Sequence, residues 1–424
     1  MGRGVVFLVF TLVLSLILSC APPSSGQPGG GAKGPIAIGV IAPTSGAFAA
    51  NGQDMVRGWE LWWKQRGNKV AGREVQWFHE DTASNPDVAL NKARLLVEQR
   101  GVHMLVGPLA ANEGIAVAGY ITGTKVPFFM PVVSADDLTQ RQRAPNILRI
   151  AGWTSSQVHH PFGEWACKQG YKTVVTLSYD FAFGHEVTGG FVNTYTDAGC
   201  QVLEQLWNPL TEQDFSPYLT RIQALKPDAV FAIQVGASAV RFLQAWNQFG
   251  LKGQIPLLAG ETTVDQSNLR GLQPGDIALG IVSAGHYAEG RDNPATQEFV
   301  KAYLEAYGDI PSYYAAAMYT AAQWLTQAME AVKGNVEDTQ AFLDAVRKVE
   351  LKESPFGPEK LDAYGNPIFN VYIRRVERRS DGRLWNVVLE TIPNVSQFWK
   401  WDPEEYLKRP VYSRDYQPGV NPKK

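Results

Sequence analysis

Short apolar runs bounded by Gly and Pro alternate along this chain with longer segments whose apolar positions recur at helical spacing. The first run, residues 36–41, is closed by Ala42-Pro43-Thr44-Ser45-Gly46 and reads as a buried strand. Between residues 53 and 65, Met55, Trp59, Trp62 and Trp63 fall at i, i+4, i+7 and i+8, which is one face of a helix and makes the tryptophans core residues. Residues 74–80 alternate apolar and polar. Asn85-Pro86 then supplies a cap and a first-turn proline, and Ala89, Ala93, Leu96 and Val97 continue at helical spacing. Runs at 102–106 and 126–130 are further strands, stopped by Gly107-Pro108 and Pro131.

The alternation resumes with strands over 173–177, 201–207 and 229–234, interleaved with helices over 186–197, 217–225 and 239–249. Strands separated by helices specify parallel sheets covered on both faces, so the fold class is α/β, and the number of strands calls for two lobes. A helical stretch runs over 296–332 and another over 339–349. An antiparallel pair, 369–377 and 385–391, closes the pattern through the turn Ser380-Asp381-Gly382. The tail after Asn394 is rich in Pro, Tyr and charge and reads as an extended surface wrap. No repeat of solenoid period is present.

Composition narrows the function. With 39 basic against 41 acidic residues there is no excess of positive charge to neutralise phosphates, so nucleic acid is excluded as a partner. The amino terminus carries Arg3 and an apolar run over 5–18, which is shorter than the roughly 20 residues a spanning helix needs. Ile17-Leu18-Ser19-Cys20 follows and resembles a bacterial lipobox, which makes residues 1–20 a signal peptide and Cys20 the acylated residue. Residues 21–34, rich in Pro, Gly and Ser, have the composition of a flexible linker. Cys167 and Cys200 remain, an even pair suited to an oxidising compartment. Whether they bridge turns on their Cα separation, which the sequence does not give.

Reaction machinery is missing. There is no phosphate-binding G-x-x-x-x-G-K-[ST] loop, no H-E-x-x-H helix, no paired C-x-x-C and no G-x-S-x-G elbow. His159 and His160 are adjacent and project in different directions, as satisfied residues of a helix start do. Neither a metal nor a cofactor is expected.

In open parallel sheets ligands sit beyond the carboxyl ends of strands. Those ends carry Pro43-Thr44-Ser45-Gly46, Leu109-Ala110-Ala111-Asn112, Val132-Val133-Ser134, residues 180–184 and Gly260-Glu261-Thr262. The order of these loops, with Ile38-Gly39-Val40, Asp81, Gly107-Pro108, Leu138-Thr139, Asp214-Phe215-Ser216 and Lys226-Pro227-Asp228, resembles the branched-chain amino acid type of periplasmic binding protein over about residues 35–392.

That resemblance implies a type I periplasmic binding fold with a three-strand hinge. Lobe 1 would be residues 35–153 with 287–355, lobe 2 residues 154–286 with 356–392, and 393–424 a C-terminal extension. It implies a monomer with no enzymatic activity, held to the membrane by a lipid anchor. It would capture a small carboxylated ligand, foremost a branched-chain or other aliphatic amino acid, and deliver it to the permease of an ABC importer. The family's contacts fall on Ala111, Asn112, Val132 and Ser134 for the carboxylate and on Glu261 for an ammonium group. Phe183 becomes an apolar wall, Asn51 and Phe48 lids, and Gly236 a further contact. Ser134 also suits the cap of a helix ahead of Leu138. Ala111 stands where amino acid binders of the family often carry a hydroxyl, which leaves aromatic acids and amides open as ligands. A ligand-sensing subunit or an exported α/β enzyme are the competing classes.

Overall fold

The computed structural model describes residues 1–2, 33–273 and 275–417. The leader, Cys20 and most of the linker lie outside the described residues. Met1–Gly34 and Pro35–Lys424 are separate units, and the fold below is that of the second.

Strands β1 (Ile36–Ala42), β2 (Lys69–Val70), β3 (Arg73–Asp81), β4 (Met104–Val106), β5 (Phe128–Phe129) and β6 (Ile147–Leu148) form one sheet in the order β2-β3-β1-β4-β5-β6. All its pairs are parallel except the β2–β3 hairpin. The second sheet contains β7 (Thr173–Tyr179), β8 (Gln201–Asn208), β9 (Ala229–Ala232), β10 (Leu257–Gly260), β11 (Val282–Gly285), β12 (Glu350–Leu351), β13 (Glu359–Leu361), β14 (Pro367–Arg378) and β15 (Leu384–Val395). Its order is β12-β13-β14-β11-β10-β9-β7-β8, with β15 on β14. The part from β7 to β11 is parallel, and the closing strands are antiparallel. Central strands read as unbroken apolar runs because helices cover both faces, as at Ile36, Ile38, Val40 and Ile41, all fully buried.

Helices connect these strands in chain order. They are α1 (Ala49–Gln65), α2 (Pro86–Arg94), α3 (Ala111–Ile121), α4 (His159–Lys168), α5 (Ala182–Asp197), α6 (Ser216–Leu225) and α7 (Gly236–Gln248), then α8 (Gln266–Leu269), α9 (Pro294–Tyr307), α10 (Tyr313–Ala331), α11 (Thr339–Lys348) and α12 (Pro403–Leu407). The Asn85 side chain accepts the amides of Asp87 and Val88, as its position before Pro86 requires. On α1, Trp59 and Trp63 are fully buried and meet edge to face at 5.8 Å. α1 crosses α10 closely because Gly58 has no Cβ; one would lie 2.0 Å from the Ala315 carbonyl oxygen.

Three expectations change. The stretch 296–332 is two helices: Gly308 takes a left-handed φ of +77° that ends α9, and Ser312 caps α10 through the Ala315 amide at 3.3 Å. Periodicity ran through the break because both helices bury one face. The tail is more than a wrap, since it contains α12 and buries Phe398, Tyr406 and Tyr412. Tyr412 packs where Gly189 leaves α5 bare, and Arg141 donates to the carbonyls of Leu407 and Arg409. Ser134 does not cap the short helix at Asp136–Thr139, which follows Ala135; its hydroxyl accepts from Ser155 Oγ at 3.0 Å instead. Cys167 and Cys200 are bridged, with Cα atoms 5.8 Å apart, tying the last turn of α4 to the residue chain that leaves α5.

Candidate functional site

The loops beyond β1, β4 and β5 in the first sheet, and beyond β7, β9 and β10 in the second, face one shared cavity. Its wall is Phe48, Leu109, Ala110, Ala111, Val132 and Ser134 on the first side. Tyr179, Phe181, Phe183, Val235 and Thr262 come from the second, with Tyr313 and Tyr314 at the start of α10.

Two parts of the wall are held from behind. The Asp81 carboxylate accepts the Thr44, Ser45 and Ala83 amides and the Ser45 hydroxyl, which fixes the loop leading to Phe48. Burial works against that charge, but the hydrogen bonds from Ser45, Ala83 and Thr44 outweigh it and hold the carboxyl below its usual range. Ser134 stands between two carbonyls gripped by the fully buried Arg149, which donates to Val133 O at 2.9 Å and Ala135 O at 2.6 Å. Burial pulls that guanidinium down to about 10, so it is still charged at neutral pH.

The polar offer of the cavity is a helix terminus. The first amides of a helix have no carbonyl partner within it. At α3 the Glu113 carboxylate accepts the Ala110 amide at 2.9 Å, and Asn112 Oδ1 accepts the Glu113 amide at 3.0 Å. The amides of Ala111 and Asn112 remain as the helix's donors beside the cavity, at the positive end of its dipole. Burial raises the Glu113 carboxyl, against the hydrogen bonds it accepts from Thr82 Oγ1 at 2.5 Å and from the Ala110 amide. Ser134 adds a hydroxyl. Other wall hydroxyls are engaged: Tyr179 accepts the Val235 amide at 2.9 Å, and Thr262 donates to Gln234 O at 2.8 Å. Burial raises the phenols of Tyr179, Tyr313 and Tyr314, so all stay neutral.

Glu261 is elsewhere. It is fully buried below Thr262 and does not line the cavity. Its Oε1 lies 3.1 Å from Arg374 Nη1 and accepts the Tyr287 amide at 3.1 Å, while Oε2 lies 2.7 Å from His286 Nδ1. Burial opposes the charge, but His286 and Arg374 prevail and the carboxyl is lowered. Its valences are already used within the second sheet.

Of the residues expected from sequence, Ala111, Val132, Ser134, Phe183 and Phe48 share the cavity. Asn112 stands beside it on the first turn of α3. Asn51 and Gly236 meet at the edge between the sheets, where a Cβ on Gly236 would lie 3.1 Å from Asn51 Oδ1. Phe181 and Thr262 fall in strand-end loops expected near a ligand but were not singled out as contacts, and Tyr179, Val235, Tyr313 and Tyr314 were not foreseen. The Pro311-Ser312 start signal ahead of Tyr313 marked a helix terminus and could have pointed to that pair. His159 and His160 hydrogen-bond to Ser155 O and Gly190 O, and burial lowers them to about 4 and about 3. No group of three or more candidate metal ligands occurs among the described residues.

The sequence matches the family described as periplasmic binding protein over residues 35–383. Leu/Ile/Val-binding protein homolog 6 of Brucella melitensis is 30% identical over 362 residues, covering 84% of this chain and 91% of its own length. An ABC transporter substrate-binding protein from Sphaerobacter thermophilus is 33% identical with a TM-score of 0.80, over 86% of this chain and 99% of that one. A solute-binding protein of an ABC transporter from Rhodopseudomonas palustris, solved with 3,4-dihydroxybenzoic acid, is 29% identical with a TM-score of 0.81, over 85% and 98% of the two chains.

Proposed function

The chain belongs to the periplasmic binding protein family, a family of solute binders and not enzymes, and from that premise we propose that its solute is a small aromatic carboxylate, passed to the permease of an ABC importer. One observation carries this reading: the cavity wall combines six aromatic rings with the amino terminus of α3 and contains no acidic side chain. A carboxylate is served by fixed N–H donors without a buried cation, whose own desolvation would cost several kcal/mol. A ring is served by Phe48, Phe181, Phe183 and the tyrosines, which offer flat apolar surface at stacking distances. An ammonium group would enter unpaired, because Glu261 is bound to Arg374 and His286. The solved relative holding 3,4-dihydroxybenzoic acid lends support.

The second reading, an aliphatic amino acid, is favoured by the relative named for Leu, Ile and Val. It requires Glu261 to turn from Arg374 toward the cavity. Thermal shift followed by calorimetry separates the two, because a ligand confined to the native state raises the melting temperature as its concentration exceeds Kd. Benzoate and 4-hydroxybenzoate are expected to raise it, Ser134→Ala to weaken both by about tenfold, and leucine to leave it unchanged. A shift with leucine and none with the benzoates would overturn the aromatic reading.

A further inference from the structure

Outside the cavity, the two sheets touch through a second set of polar groups that the solute does not reach. Arg270 follows α8, downstream of β10 in the second sheet. Asp54 lies on α1, which packs with α9 and α10 over the first. Neither lines the cavity.

We infer that Arg270 and Asp54 form a latch across the cleft that sets how long a solute is retained, with Arg270 acting as a positioning residue that never contacts the solute. Arg270 Nη2 bonds Asp54 Oδ2, and Nη1 lies 3.3 Å from Asp309 Oδ2. Both halves are set in place on their own sides. Tyr303 donates its hydroxyl to Asp54 Oδ1 at 3.0 Å, and Arg270 Nε donates to Gln266 O at 3.1 Å. The Asp54 side chain is 1% exposed and that of Arg270 24%, so the pair escapes most of the screening that makes surface ion pairs worth little. Alongside it, Asn51 Nδ2 donates to Ser267 Oγ at 2.8 Å.

This edge is wired to the cavity wall. Ser267 Oγ donates to Asp265 Oδ1 at 2.5 Å, and Asp265 Oδ2 accepts the amide of Tyr313 at 2.8 Å. The latch exists only when the sheets are together, and so does the completed cavity. Each therefore favours the other by the same free energy, and loss of the ion pair acts on dissociation more than on encounter.

The inference rests on the solute-binding reading, and its test has one arm that does not. Stopped-flow displacement of 4-hydroxybenzoate is compared for wild type, Arg270→Ala and Arg270→Lys, and small-angle scattering is recorded for the same proteins without solute. Arg270→Ala is expected to speed dissociation about tenfold with association nearly unchanged, Arg270→Lys to recover part of the loss, and the alanine variant to show a larger radius of gyration. A purely structural arginine would lower the melting temperature and leave the dissociation rate alone, and that result overturns the latch. If 4-hydroxybenzoate does not bind wild type, the solute reading fails and scattering decides: expansion of the variant supports the latch, and superposable profiles overturn it. Should Arg270→Ala not fold, Asp54→Asn breaks the same ion pair from the other side and is judged by the same two readouts.

Discussion

Glu359 illustrates how far a single residue departs from ordinary behaviour in this fold. It lies in β13, is 3% exposed, and neither carboxyl oxygen has a hydrogen-bond partner among the described residues. Burial alone lifts it to about 8. Its unfolded value is near 4.5, so the native state holds one more proton than the unfolded state between those two values. Stability therefore falls as pH rises through that window and levels off above it, by on the order of 1.4 kcal/mol for each pH unit. Glu359→Gln, already neutral, is expected to flatten this slope. Urea midpoints taken across the window check it, and an unchanged slope in the variant would refute the assignment. At the same scale, Ser134 and Phe183 were legible because loop position at a strand end brings side chains to the cavity. The commitment of Glu261 was not, since its partner Arg374 lies 113 positions away on a strand whose pairing with β11 no local pattern specifies.

At the scale of elements, the parallel strands were legible because each is a continuous apolar run between turn residues, and β1, β3 and β7 came within two residues of their observed ends. β12 and β13, of two and three residues, were invisible because so short a run has no period. Helices α4 and α5 show how a covalent link adds to packing. The Cys167–Cys200 bridge closes a loop of 33 residues, which by chain entropy contributes about 3 to 4 kcal/mol. Cys167→Ala with Cys200→Ala is expected to lower the denaturation midpoint by that order while leaving ligand affinity within about twofold, because neither cysteine lines the cavity. An unchanged midpoint, or two thiols titrating in the unreduced native protein, would contradict the bridge.

For the whole molecule, the lipobox-like Ile17-Leu18-Ser19-Cys20 is the basis for a proposed lipid anchor. No helix among the described residues is long and apolar enough to cross a membrane, and the folded unit begins at Pro35, 15 residues after Cys20. Acylation of that cysteine would give the protein its hold on the bilayer. The wild-type chain is expected in the membrane fraction of its bacterial host and Cys20→Ser in the soluble fraction; soluble wild-type protein would sink the proposal. The C-terminal extension adds a second bond between parts of the unit, since Arg141 beside the first sheet and α5 on the second both hold it.

Arg149 has a consequence for timing. Because it clamps the carbonyls on either side of Ser134, and Asp81 holds the loop leading to Phe48, the first sheet's half of the cavity is held by bonds that need no solute. On the proposed solute-binding reading, capture would then begin as a collision with a finished surface, free of loop ordering, and the approach of the second sheet would be a separate, unimolecular event that concentration cannot hurry.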